Sequence, residues 1–71
     1  MPRGLTRWET EVLQLLSEGL TRREAADRMF VHVSTVKAHM ANALPKLSAR
    51  TTAQAVAIAV REGLLDEDGC E

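Results

Sequence analysis

Seventy-one residues, 45% hydrophobic and 27% charged with a formal net charge of -1, make one small globular domain and exclude a disordered chain. No apolar run approaches the roughly 18 residues of a membrane span, and the opening MPRGLTRWE carries no apolar leader. The lone cysteine, Cys70, excludes an internal disulfide and fits a reducing compartment, so a cytoplasmic location is expected.

No strand-like alternation interrupts a helical periodicity. Three capping boxes, Thr6-x-x-Glu9, Thr21-x-x-Glu24 and Thr51-x-x-Gln54, each stand before an apolar-periodic run and predict helix starts. Helix one is expected from Arg7 to Glu18, with Trp8, Val12, Leu15 and Leu16 on its buried face and Gly19 as its stop. Helix two is expected from Arg22 to Met29, with Ala25, Ala26 and Met29 inward. Helix three is expected from Val33 to Leu47, burying Val36, Met40, Ala43, Leu44 and Leu47. Helix four is expected from Thr52 to Glu62, burying Ala53, Val56 and Val60, with Gly63 behind it. A short helix, a tight connection and a longer helix predict an all-α fold of four helices in which helices two and three form a helix-turn-helix. A plain four-helix interaction module satisfies the same periodicity.

The small net charge hides an asymmetry. Residues 1–50 hold eight basic side chains and five acids, whereas residues 51–71 hold Arg61 against five acids. No acid occurs between Asp27 and Glu62, a span containing Arg28, Lys37, Lys46, Arg50 and Arg61. Local field governs encounter with a polyanion at a Debye length of about 8 Å, so the overall charge does not exclude nucleic acid.

On the outward side of helix three, Ser34, Ala38, Ala41 and Pro45 lie opposite the buried stripe, with Lys37 on one shoulder and Thr35, Asn42 and Lys46 on the other. Small side chains at the centre of a face let a helix backbone approach base edges in a major groove. Lys37 suits guanine O6 and N7, and Ser34 suits several edges. Thr35, Asn42 and Lys46 suit phosphate oxygens. Alanine is also simply the best helix former, which is the plainer account of this face. Arg22 and Arg23 stand in the first turn of helix two, where a bound anion would offset their clash with the helix dipole. Solvated arginines beside Glu24 are the plainer account there. On helix four, Gln54, Ile58 and Arg61, with Ala55 and Glu62 beside them, form a candidate dimer patch. No glycine-rich phosphate loop or nucleophile motif occurs, and His32 and His39 have no further ligand at metal spacing. No enzyme, metal or cofactor is expected.

The segments LTRWETEVLQLLSEGLTRREAA, VHVSTVKAHMANALPKL and RTTAQAVAIAVREGLL resemble the LuxR/FixJ/GerE-type helix-turn-helix domain of bacterial transcription regulators. The resemblance spans residues 5–65, leaving an N-terminal tail at 1–4 and an acidic tail at 66–71. It implies a sequence-specific regulator of double-stranded DNA whose recognition helix is helix three. Base-contacting positions would be Ser34, Lys37, Ala38 and Ala41; backbone-contacting positions would be Thr21, Arg22, Arg23, Thr35 and Lys46, with Asn42 added from its shoulder position. It further implies a homodimer through helix four. Region 4 of bacterial sigma factors is also similar, so the alternative is a small protein-binding module acting on RNA polymerase or another regulator.

Four departures from the family pattern carry expectations of their own. Trp8 replaces an arginine and is expected to substitute burial for a polar contact. His32 replaces the recognition-helix N-cap serine, leaving Ser34 or water to satisfy that end. Ala25 and Ala43 replace bulkier aliphatics and alter core packing. Pro45 is expected to bend or end helix three near Leu44. Most domains of this family follow a receiver or ligand-sensing domain; this chain is similar to the stand-alone, GerE-like form, with control expected from abundance, partners or pairing.

Overall fold

Over the described residues, 4–65, the computed structural model contains four helices and no strand. They are α1 (Arg7–Ser17), α2 (Arg22–Met29), α3 (Val33–Lys46) and α4 (Thr52–Arg61). The tail residues 1–3 and 66–71, Cys70 among them, lie outside the described residues.

Side-chain caps set the helix starts. Thr6 and Thr21 each accept from the backbone N–H three residues on, while Glu9 and Glu24 reach back to the threonine N–H, closing two reciprocal boxes. The third box is half formed. The Thr51 hydroxyl accepts from Gln54 N–H at 3.1 Å, but Gln54 Oε1 accepts from Arg50 N–H at 2.7 Å instead of from Thr51.

One closure ends all four helices. Gly19, Phe30, Ser48 and Gly63 all have positive φ, and the N–H of the next residue donates back over the last turn. These bonds run from Leu20 to Leu15 O, Val31 to Ala26 O, Ala49 to Leu44 O and Leu64 to Ala59 O, at 2.9–3.3 Å. The two glycines adopt this conformation without strain, whereas Phe30 and Ser48 adopt it against the preference of any L side chain. Pro45 does not end α3 near Leu44. It occupies an exposed site in the last turn, and the helix continues through Lys46 to the closure at Ser48. So near the end, the proline removes a single backbone bond, that to Ala41 O.

The core joins Leu5, Val12, Leu13, Val36, Met40 and Leu47 to alanines from three helices, Ala26, Ala43, Ala55 and Ala59. Helix α3 packs against both α1 and α2, and α4 is seated against α1. Ala25 and Ala43 are both fully buried, so small side chains here bring helix backbones close.

Two burial expectations are overturned. Trp8 is 53% exposed, so no buried ring replaces the polar contact; its neighbour Glu9 turns inward instead. Helix α4 docks a face rotated from the one expected. Val56 packs against the core as expected, but Ala55 and Ala59 are buried and Ile58 packs beside them, whereas Ala53 and Val60, expected inside, are exposed along with Ala57. Both faces of the run TAQAVAIAVR are apolar, so periodicity could not rank them. On the face that docks, the small side chains of Ala55 and Ala59 let α4 approach α1 closely.

Glu9 is 3% exposed, and it ties the two ends of the bundle together. Its Oε1 accepts from Thr6 N–H at 2.9 Å and from Lys46 Nζ at 2.7 Å, linking the start of α1 to the last residue of α3. Burial pushes the Glu9 carboxyl up. The Lys46 hydrogen bond, the Thr6 backbone bond, the lysine charge and the Thr6 hydroxyl outweigh it and hold the group below its ordinary value.

The pair yields an asymmetric prediction. Lys46→Met strands a buried carboxylate and should destabilise by roughly the lower end of the 3–5 kcal/mol typical of broken buried pairs. Glu9→Gln keeps an acceptor for Thr6 N–H and leaves a lysine able to reach water, so it should cost less. Because the folded-state carboxyl lies below its unfolded value, its contribution is present above the unfolded pKa and is lost as pH falls through the folded one. Urea titrations between pH 3 and 7 should show Glu9→Gln flattening that acid limb. In Lys46→Met, only the Thr6 bonds remain to oppose burial, so the carboxyl should rise and the deficit should shrink on acidification.

Candidate nucleic-acid interface

The helix-turn-helix is built by α2, the turn Phe30–His32 and α3. His32 is extended and caps α3 itself: its Nδ1 accepts from Ser34 N–H at 3.3 Å and lies 3.0 Å from Ser34 Oγ. The imidazole of His32 therefore takes the capping role expected of Ser34.

Val36, Met40, Ala43 and Leu47 point into the core, which leaves Ser34, Lys37, Ala38, Ala41 and Asn42 exposed on the other side of α3. Thr35 is half-buried on the shoulder. No residue of α3 is acidic. The helix bundle also draws in residues distant in sequence. A shallow cleft of about 370 Å³ is lined by Arg22, Lys37, Met40, Ala41, Leu44 and Thr52. Lys37 and Ala41, expected to meet bases, thus share one concavity with Arg22, expected to meet phosphate. Arg22 Nη2 donates to Thr52 Oγ1 at 3.0 Å, holding the guanidinium against the start of α4. Thr52 was missed in the sequence because Thr51, the capping residue, accounted for the Thr-Thr pair.

Arg23 and Thr21 are exposed at the start of α2. The Thr21 hydroxyl accepts from Glu24 N–H, and an accepting hydroxyl retains its own proton for a phosphate oxygen. Lys46 takes a different place from the expected one. Its ammonium is bonded to the buried Glu9, so a phosphate contact would have to be made at the expense of that carboxylate. The dimer patch is likewise altered: Ala55 is buried and Ile58 half-buried, while Gln54, Arg61 and Glu62 are exposed.

Two further concavities differ in chemistry. One of about 550 Å³ is lined by Glu18, Glu24 and Asp27 together with Arg28 and Phe30, an acid-rich wall unsuited to a polyanion. The other, about 600 Å³, runs past Leu16, Leu20, Ala53 and Val56 between the end of α1 and the start of α4. Among the described residues, no group of three or more His, Cys, Asp or Glu is placed to hold a metal ion, and no helix is long and apolar enough to cross a membrane.

The profile of the family described as "GerE: Bacterial regulatory proteins, luxR family" matches residues 3–59. The chain is 39% identical over 62 residues to the spore germination protein GerE of Bacillus subtilis, covering 87% of this chain and 84% of that protein. It is 42% identical over 60 residues to the uncharacterized transcriptional regulatory protein YxjL of Bacillus subtilis, covering 84% of this chain and 28% of that one. A third relative, the DNA-binding transcriptional activator DevR/DosR of Mycobacterium tuberculosis, is 46% identical over 56 residues, covering 79% and 26%. The chain thus spans under a third of the length of several curated relatives it matches. The solved structure of the transcription factor GerE superposes with a TM-score of 0.80 at 29% identity, covering 87% of this chain and 92% of that one.

Phe30 is 94% exposed and left-handed, at φ 59°, so its ring loses nothing on removal while its backbone is strained. Phe30→Asn, with a residue at ease in that conformation, should raise unfolding free energy by about 0.5–1 kcal/mol. The check is a higher urea midpoint with an unchanged m-value.

Proposed function

The chain belongs to the luxR family of bacterial regulatory proteins, as the DNA-binding domain of a transcriptional regulator, and we propose that it binds duplex DNA sequence-specifically by laying α3 in the major groove. It does so in the cytoplasm, on the nucleoid. The observation that carries this reading is the exposed, uncrowded, acid-free face of α3 from Ser34 to Ala41, continuous through Lys37 and Ala41 with the cleft that holds Arg22. An α-helix about 10–12 Å across fits a groove about 12 Å wide, and a leading face this slight lets its backbone approach the base edges closely.

Ser34, Lys37, Ala38 and Ala41 meet base edges. Lys37 donates to guanine O6 or N7, and the alanine methyls touch thymine methyls. Thr21, Arg22, Arg23, Thr35 and Asn42 hold the sugar-phosphate rails on either side and set register. Thr52 joins them through its bond to Arg22.

Pairing through α4 doubles these contacts. The face left outward by the docking of Ala55 and Ala59 carries Ala53, Ala57 and Val60 at helical spacing, with Gln54 and Arg61 beside them. Val60, a large apolar side chain, is 42% exposed in the monomer. A two-fold axis through this stripe would set it against its copy and place two recognition helices one helical turn apart, about 34 Å.

Three outcomes test the reading. Lys37→Ala should lower affinity for a selected operator by about 1–3 kcal/mol and relax preference at one base position. Arg23→Ala should weaken operator and random duplex alike and reduce the slope of log K against log salt by about 1. If both variants act identically on the two duplexes, these assignments of reader and gripper are wrong. Val60→Asp should give a monomer by sedimentation and weaken operator binding; a dimer that persists removes α4 as the pairing helix.

A further inference from the structure

We propose that His32 determines specificity by fixing the Ser34 hydroxyl as a hydrogen-bond acceptor, so that the base meeting Ser34 carries an exocyclic amine, adenine or cytosine. The inference rests on the reading of Ser34 as a base-contacting residue.

The argument is one of proton placement. Ser34 N–H donates to His32 Nδ1 at 3.3 Å. A backbone N–H has only its proton to offer, so Nδ1 presents a lone pair and the ring proton resides on Nε2. The same Nδ1 lies 3.0 Å from Ser34 Oγ. An unprotonated nitrogen can only accept, so the hydroxyl proton is directed at His32 and shares the one Nδ1 lone pair with the longer bond from Ser34 N–H. An unconstrained serine hydroxyl rotates and serves as donor or acceptor to any base edge. With its proton held by the imidazole, Ser34 turns only lone pairs to the groove. In the major groove adenine N6 and cytosine N4 donate, whereas guanine O6 and N7 and thymine O4 would set lone pair against lone pair. Both residues are exposed, and both stand at the N-terminal end of α3, the end through which helix-turn-helix recognition helices reach base edges. His32 itself need touch no base. It is a positioning residue whose effect appears at the single operator position facing Ser34.

The experiment selects an operator from random duplex and then measures binding to all four bases at each position, for wild type and for Ser34→Ala, His32→Ala and His32→Asn, with helix content followed by circular dichroism. Wild type should prefer adenine or cytosine over guanine and thymine by about threefold or more at the position that Ser34→Ala flattens. His32→Ala should flatten that same position and leave the others as they were. His32→Asn, whose amide oxygen can accept both protons, should retain the preference. A His32→Ala profile unchanged at the position flattened by Ser34→Ala, or a wild-type preference there for guanine or thymine, overturns the proposal and leaves Ser34 as a reader. A Ser34→Ala profile unchanged at every position overturns both. Should His32→Ala not fold, the ring ¹⁵N shifts of wild-type His32 decide: an Nε2–H tautomer is expected, and an Nδ1–H tautomer overturns the inference.

Discussion

The carboxylate of Glu9 is where the architecture converges. A single oxygen completes the capping box that starts α1 and receives the ammonium that closes α3. Removing so small and charged a group from water is unfavourable unless its lone pairs are occupied, and both partners are needed to occupy them. The pair therefore ties the first turn of one helix to the last turn of another, 37 positions away in the chain. With its far end anchored through Lys46 and its inner face through Val36, Met40 and Leu47, α3 needs no structural contribution from its outer face. That freedom is what permits Ser34, Ala38 and Ala41, residues too small to stabilise a surface by packing.

Charge is distributed to match. A chain of net charge -1 engages a polyanion only where its field is locally favourable. Acids are absent from α3, and the acid-rich concavity of Glu18, Glu24 and Asp27 is lined by the α1–α2 connection and α2 together with Phe30 at the next turn. The one basic side chain near the end of α3 is engaged by Glu9, which leaves attraction along that helix to Lys37 and, across the cleft, to Arg22. Such an arrangement favours contacts of defined position over a diffuse basic surface.

Much of this was legible in the amino-acid order, for identifiable reasons. Helix starts were readable because threonine followed by Glu or Gln three positions on is a local signal, and α2 spans the residues its box and apolar spacing predict. The inward side of α3 was readable because Val36, Met40 and Leu47 differ sharply from Ser34 and Lys37. Helix α4 was not, because alanines and branched aliphatics stand on both of its faces and spacing alone does not rank them. The stops at Phe30 and Ser48 were equally hidden: neither residue is a conformational signal, and their left-handed backbone comes from the closure around them. Trp8 misled because size suggests burial, while the buried residue beside it is charged. The engagement of Lys46 by Glu9 and of Arg22 by Thr52 joins residues far apart in sequence, and no spacing rule announces either. On α3, Ser34, Lys37, Ala38, Ala41 and Asn42 are exposed as their spacing predicts, whereas Thr35 is half-buried and Lys46 is engaged by Glu9.

The repeated left-handed closure also governs how fast the chain can find its shape. Connections of four, three and five residues separate successive helices, and each is shut by a bond spanning six residues of the same turn. Little ordering entropy must be lost before neighbouring helices meet, so the relative contact order is low and microsecond-to-millisecond folding is the natural regime. Fast reclosing places transient openings in the regime where capture by a protease follows the equilibrium population of the open form and not the rate of opening.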